Sequence, residues 1–168
     1  MGKLEKMVDS PASMEGFRTK YRIPPEVGLE YCSLEEILLK RRTGQVAIPM
    51  IAFVEGGMTI PMGRITRDYL RGHRLAPHQC VMNMFQILGC IDVLNNQMNL
   101  GLSWHDVVHL YECHSHLYYL NSRSDEVRLI SCLPKSNKGL KDDFLIVSGP
   151  WHVSIHCPVR AGTAGGAS

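Results

Sequence analysis

The strongest hydrophobic pattern of the chain lies between His78 and Met98. Apolar residues there are spaced alternately three and four positions apart, which is the spacing of one face of an α-helix. The residues of this face are Met84, Ile87, Ile91, Leu94 and Met98. The pattern predicts a central core helix rather than a coiled coil, because it spans barely two heptads and a coiled coil needs more.

Capping residues predict shorter helices on the N-terminal side of this segment. Ser33 and Glu36 have the spacing of a capping box, which opens a helix that ends near Arg41. Pro49 and Pro61 are each predicted to lie in the first turn of a further short helix, where proline is favoured. Three helices are therefore expected before the central one.

The pattern changes after Ser103, which is predicted to cap a helix that runs to about His114. Beyond it, short stretches rich in β-branched or aromatic residues are divided by polar turns and are typical of strands. These stretches are 116–122, 126–133 and 143–149. The sequence thus predicts an α+β fold that is predominantly α-helical, with a helical N-terminal two-thirds followed by a small antiparallel sheet.

The length of 168 residues predicts a single domain. Residues 1–16 show no hydrophobic period and residues 157–168 are small, so both are expected to be flexible tails around a globular domain over 17–156. Two consecutive prolines within 17–31 predict an extended chain there, because proline and the residue before it disfavour helix.

The composition restricts the class of protein, but it does not indicate a function. Apolar residues make up 45% and charged residues 20%, which excludes wholesale disorder, and a net charge of +2 does not by itself predict nucleic-acid binding. The six cysteines show no CxxC spacing, and no apolar leader precedes them, so reduced thiols in an intracellular protein of nucleus or cytoplasm are expected. No apolar stretch is long enough for a membrane span.

No complete catalytic motif is present, so neither catalytic residues nor a cofactor is predicted. A metal site is the alternative for His105, His109 and Cys113, which lie four positions apart and would share one face of a helix. We favour the simpler interpretation, in which these residues form the solvated side of an amphipathic helix.

Four arginines form the best local candidate for binding an anion. Arg64, Arg67 and Arg71 fall on one side of a predicted helix and Arg74 follows it. Guanidinium groups suit phosphates, but a solvated helix face is the favoured interpretation, because a net charge of +2 gives little long-range attraction and no groove-reading motif accompanies the arginines. Nucleic acid is therefore a possible partner that is not favoured.

Ordered short motifs over about residues 17–151 resemble the gypsy-type transposon domain, also described as a transposase domain, of plant genomes. The matching runs are YRIPPEVGLEY, then EGGMTIPMGRITRDYLRGHRLAPHQCVMNMFQILGC, and then KGLKDDFLIVSGPW. The matching motif residues are Pro24, Gly57, Pro61, Pro77, Gln79, Asn83, Gly149 and Trp151. Met82 replaces a proline of the family pattern, and Phe85 stands where tryptophan is common.

The resemblance implies a retroelement origin more directly than a chemical activity, because its matching residues set turns and packing. We expect a non-catalytic, Gag-like domain from a degenerate or fragmentary copy, which associates with itself or with another element-encoded protein. The alternative is a nucleic-acid-binding accessory protein of a transposon that uses Arg64, Arg67 and Arg71. An enzyme ranks third.

Overall fold

The computed structural model describes residues 2–39, 43–114, 118–124, 126, 129–130 and 142–151, without the side chains of 38 and 39. Helices and strands are interspersed along the described chain. In chain order they are α1 (Pro11–Lys20), β1 (Gly28–Ser33), α2 (Leu34–Leu39), β2 (Val46–Pro49), α3 (Met50–Val54), α4 (Arg64–Gly72), α5 (Met82–Met98), α6 (Trp104–Leu110), β3 (Tyr111–His114), β4 (Tyr119–Ser122) and β5 (Asp143–Ser148). Short 3-10 turns precede α1 at Glu5–Met7 and α5 at Pro77–Gln79.

The predicted order, with helices first and a sheet last, is wrong. A three-stranded antiparallel sheet has the order β1-β5-β2, so two strands from the N-terminal third flank one from the C-terminal end. β5 is central and buried from Asp143 to Val147, which explains its continuous apolar run Phe144–Val147. β1 and β2 depend on pairing with a strand about a hundred residues away, and their short local patterns do not reveal it. The fold is α+β with interspersed elements.

The N-terminal segment also differs from the predicted tail. A 3-10 turn and the first half of α1 lie within residues 2–16, and Val8 is 5% exposed. Ser10 caps α1 through a capping box with Ser13. Phe17 is the one buried residue of this helix, and its ring packs edge-on against Phe53 at 5.8 Å. A helix that buries one side chain has no hydrophobic period, so its sequence resembles a loop.

Local capping signals elsewhere agree with the structure. The backbone N–H of Ser33 donates to the Glu36 carboxylate at 3.1 Å, and the Glu36 N–H donates to the Ser33 hydroxyl at 3.4 Å. At the start of α6, the N–H and the hydroxyl of Ser103 donate to the Asp106 carboxylate at 2.7 and 2.8 Å, and the Asp106 N–H donates to the Ser103 carbonyl at 3.1 Å. The predicted capping residues of α2 and α6 are therefore confirmed.

The central helix is confirmed as α5, although it begins at Met82 and its face is buried only in part. Met84, Ile87 and Ile91 are 2% exposed or less, whereas Met98 is 63% exposed. The C-terminal turns of α5 therefore extend beyond the core.

Two other helix boundaries differ from the prediction. α4 begins at Arg64, three residues after the cis bond between Ile60 and Pro61, so Pro61 precedes the helix. α6 ends at Leu110, because the next four residues form strand β3 paired with β4. Most of the predicted strand 126–133 and all of the predicted tail 157–168 lie outside the described residues.

Candidate functional site

Helix α4 presents the predicted arginines to solvent on one side and packs on the other. Ile65, Thr66, Tyr69 and Leu70 are buried, which is the pattern of an amphipathic helix with one inward face. The structure thus places the arginines where the helical spacing predicts them. Their contacts, however, divide them into two different pairs.

The first turn of α4 is capped by a carboxylate from α5. The backbone N–H of Ile65 donates to Asp92 at 2.7 Å, and Thr66 donates its N–H at 3.1 Å and its hydroxyl at 2.8 Å. Asp92 is 8% exposed, and a Cβ on the N-cap residue Gly63 would overlap its carboxyl group. Asp92 therefore takes the place that an N-cap side chain normally fills. The signal in the sequence is a lone acid within an otherwise uncharged helix.

The arginines at the N-terminal end of α4 are bound to protein groups. Arg64 donates from Nη2 to the Leu102 carbonyl oxygen at 2.8 Å, and the same carbonyl accepts from the Asn95 amide at 3.2 Å. Arg67 lies 3.4 Å from the Asp68 carboxylate through its Nε. Arg64 thereby ties the start of α4 to the loop after α5, which is a structural role.

The arginines at the C-terminal end have no such partners in the part of the chain that the structure describes. Arg71 and Arg74 are exposed and form neither a side-chain hydrogen bond nor an ion pair there. Arg74 has a left-handed backbone with φ of 54°. Its N–H donates to the Arg71 carbonyl at 3.1 Å, and the Leu75 N–H donates to the Leu70 carbonyl at 2.8 Å. This bonding is a Schellman motif.

Four aromatic rings form a series from the core to the surface between α4 and α6, which we call the ring ladder. Tyr69, buried, stacks on His73 at 4.2 Å between ring centroids, and the Trp104 ring lies 5.7 Å from His73 between centroids in a T-shaped arrangement. His105, exposed, lies 3.9 Å from Trp104 with 31° between the planes. The Trp104 ring lies against Gly72, where an added Cβ would come within 2.6 Å of it. The sequence gives no sign that α6 brings aromatic rings to the arginine helix.

The histidine and cysteine residues of the predicted metal site are not arranged on one helix. His105 and His109 lie on α6, but Cys113 lies on β3, because the helix ends at Leu110. Burial raises the pKa of the Cys113 thiol, and a hydrogen bond with Tyr69 partly offsets this rise. No group of three or more histidine, cysteine or acidic side chains is placed to bind a metal within the described residues.

Helix α5 has an exposed surface without charge, which we call the uncharged strip. It comprises Cys90, Val93, Asn96 and Gln97 on one side of the helix, Met98 at its last residue and Leu100 just beyond it. The exposed fractions of Val93, Met98 and Leu100 are 52%, 63% and 45%. α5 contains no lysine, arginine or glutamate, and its one aspartate is the buried Asp92. The outer side of the C-terminal half of α5 is thus exposed and uncharged.

Several residues of the transposon-like motif lie at turns and form backbone contacts. The Asn83 side chain bonds both ways with Leu120, donating to its carbonyl at 3.0 Å and accepting from its N–H at 2.8 Å. Gln79 accepts from the Ala76 N–H at 2.8 Å. The Pro24 carbonyl accepts from Arg18 at 2.7 Å. The contact of Asn83 with Leu120 connects distant segments of the chain, whereas those of Gln79 and Pro24 are local.

The remaining motif residues lie in turns or in the core. Gly57 and Gly149 have positive φ angles of 67° and 77°. A Cβ on Gly149 would also approach the Glu26 carbonyl oxygen to 2.9 Å. Pro77 is buried at the start of the 3-10 turn before α5, and Trp151 is 2% exposed.

Comparisons of the sequence with models of protein families, with curated proteins and with solved structures give no match. The resemblance to the gypsy-type transposon domain therefore stays a prediction. Within the described ranges, no helix combines the length and the apolar composition needed to cross a bilayer.

Proposed function

We propose that the chain is a non-catalytic, intracellular association domain of retroelement origin, which pairs with a second copy of itself through the uncharged strip of α5. The observation that supports this proposal is the exposure of Val93 and Met98 on α5 and of Leu100 just after it, in a segment without charged residues. The gypsy-type resemblance supplies the proposed origin. The uncharged strip is the basis for the proposed self-association.

Single exposed apolar residues are common on protein surfaces and need no explanation. The strip differs because three large apolar side chains lie within 93–100 and no charged residue separates them. Helices that face water usually carry charged residues on the outer side. Centres of protein interfaces are depleted of charge and enriched in methionine. The composition of the strip matches an interface better than a solvated face.

A second copy is the occupant that fits this surface best. A neutral strip can face its own copy without contacts between like charges, and a two-fold pairing brings identical surfaces together. The side-chain amides of Asn96 and Gln97 both donate and accept hydrogen bonds, so they can pair with the same groups of another copy. A strongly charged partner would find no complementary charge on the strip.

The test uses charge at position 93 and sedimentation velocity over a range of concentrations. We expect the natural chain to form dimers and the Val93→Lys variant to be monomeric, because two lysines would meet across the interface. A mixture of Val93→Lys and Val93→Glu chains should form dimers again, since opposite charges then meet. Leu34→Lys is the matched control, because Leu34 is 41% exposed on α2 and its substitution should leave the dimer unchanged.

Two results would overturn the proposal. One is a natural chain that stays monomeric at every concentration. The other is a dimer that Leu34→Lys disrupts and Val93→Lys does not, which would place the contact elsewhere. Thermal unfolding of each variant checks that the fold is intact, because exposed substitutions change the stability by only about 0.5 kcal/mol.

A further inference from the structure

We propose that the exposed end of the ring ladder, with Arg71 and Arg74 beside it, binds single-stranded nucleic acid. This surface lies on α4 and α6 and does not use the uncharged strip. It also differs from the arginine set expected from the sequence, because Arg64 and Arg67 are not part of it.

The ring ladder provides a fixed surface on which a nucleobase can stack. Its inner end, Tyr69, is 1% exposed, and its outer end, His105, is exposed to solvent. The Trp104 ring packs against the His105 ring and also lies against Gly72. Proteins that bind unpaired bases stack them on tryptophan, tyrosine, phenylalanine or histidine rings. The outer ring is therefore positioned before any ligand arrives.

Arg71 and Arg74 supply the positive charge that a nucleic-acid backbone requires. They flank Gly72 and His73 in the sequence, and Gly72 is the residue on which the Trp104 ring lies. Neither guanidinium group is engaged by another side chain among the described residues, so both can reach a phosphate. Arg64 and Arg67 would first have to give up Leu102 and Asp68.

The acidic groups near the ring ladder are already occupied. Asp68 pairs with Arg67, and Asp106 accepts hydrogen bonds from the Ser103 N–H at 2.7 Å and hydroxyl at 2.8 Å. The same Ser103 hydrogen bonds hold the pKa of Asp106 below its usual value, so this carboxylate stays ionised. Its charge limits the attraction for phosphate. Stacking on His105 must therefore contribute to binding, and stacking requires bases that are not paired in a duplex.

The test compares two labelled probes by fluorescence anisotropy. One is an oligodeoxyadenylate of about 12 nucleotides, and the other is an abasic strand with the same number of phosphates. We expect the natural chain to bind the adenylate strand about tenfold more tightly than the abasic strand. His105→Ala should remove this difference without weakening the binding of the abasic strand.

Arginine variants separate the phosphate contacts from the stacking contact. Arg71→Gln and Arg74→Gly should weaken both probes to the same extent and each reduce the salt dependence by about one ion. Arg67→Gln is the matched control on the same helix, and it should leave the salt dependence unchanged. In a Trp151→Phe chain, Trp104 is the sole tryptophan, and the adenylate strand should quench its fluorescence.

Three outcomes would overturn the inference. Equal affinity for the abasic and adenylate strands would indicate a general polyanion surface without stacking. Equally tight binding of polyglutamate would indicate an acidic protein partner instead. Binding of neither strand at millimolar protein would exclude the site. Dimer formation through Val93 is measured separately, so failure here leaves the proposed function standing.

Discussion

The two ends of helix α4 are held by different kinds of interaction. At the N-terminal end, the first-turn N–H groups of Ile65 and Thr66 donate to the Asp92 carboxylate, which belongs to another helix. At the C-terminal end, the carbonyls of Arg71 and Leu70 accept from the backbone N–H groups of Arg74 and Leu75, which follow the C-cap residue His73. One end depends on a tertiary contact and the other on a local turn.

The proposed nucleic-acid site uses the arginines of one end of α4 and not those of the other. Near Asp92, the N–H groups of Ile65 and Thr66 and the Thr66 hydroxyl donate to the carboxylate, and Arg64 is bound to the Leu102 carbonyl. Around Arg74 the backbone is satisfied by the turn itself, so the side chains of Arg71 and Arg74 remain exposed. At the C-terminal end of α4 the cap consists of backbone groups, so the charged side chains there stay available. At the N-terminal end the charged carboxylate of Asp92 is itself the cap and contributes to stability.

The largest effect is expected from removing the tertiary cap. Asp92→Ala should lower the free energy of unfolding by about 3 kcal/mol, because two N–H groups and one hydroxyl lose a charged acceptor in a buried site. Urea unfolding followed by circular dichroism measures the change. Asp68→Ala is the matched control, an acid on the outer side of α4 that should cost no more than about 0.5 kcal/mol.

A loss for Asp92→Ala as small as that of Asp68→Ala would contradict the tertiary cap. It would mean that water replaces the carboxylate at the first turn of α4. Asp92→Asn should fall between the two variants, because an amide oxygen still accepts a hydrogen bond but carries no charge.

A smaller effect is expected from moving the cap from α5 back onto α4. Gly63→Ser in the natural chain should lower the stability by about 2 kcal/mol, because its Cβ would overlap the Asp92 carboxyl group. In the Asp92→Ala chain the same serine should raise the stability by about 1 kcal/mol, since it supplies an N-cap hydroxyl. A double-mutant cycle measured by urea unfolding gives both values.

The sign reversal is the decisive result of this cycle. If Gly63→Ser were equally unfavourable in both backgrounds, the glycine would be needed for another reason than the space taken by Asp92. Gly63→Ala is the control, because alanine adds the same Cβ without a hydroxyl and should not restore stability in the Asp92→Ala chain.

The sequence predicted those parts of the fold that depend on neighbouring residues. The capping boxes at Ser33 and Ser103 lie within four residues, and the apolar face of α5 repeats along one helix, so local reasoning found both. β1 and β2 were missed because they are stabilised by pairing with β5 from the far end of the chain. α1 was missed because it buries only Phe17.

The same distinction applies to the candidate sites. Helical spacing placed the arginines of α4 on one exposed side, but their availability depends on Leu102 and Asp68, which spacing does not reveal. Trp104 reaches α4 from a different helix, so the sequence of α4 alone does not reveal that this ring lies against Gly72. The predicted metal group relied on a helix through Cys113, and pairing of β3 with β4 ends that helix earlier.

The smallest effect is expected at the locally capped end of α4. Arg74 has a left-handed backbone, in which a Cβ is disfavoured and glycine is the preferred residue. Arg74→Gly should therefore raise the free energy of unfolding by about 0.5 kcal/mol, after the greater entropy of glycine in the unfolded chain is subtracted. Arg71→Gly is the matched control, because the same substitution within the last helical turn should instead cost up to about 1 kcal/mol.

Arg22 provides an independent check of the same argument. It follows α1 with φ of 53°, and the Ile23 N–H donates back to the Arg18 carbonyl at 2.9 Å, so its turn repeats that of Arg74. Arg22→Gly should therefore stabilise the protein to the same small extent. A loss of stability for Arg74→Gly alone would show that its side chain makes a stabilising contact. A gain would show that the Arg74 side chain is not needed for the stability of the fold. Any weaker nucleic-acid binding by this variant would then come from the lost guanidinium group.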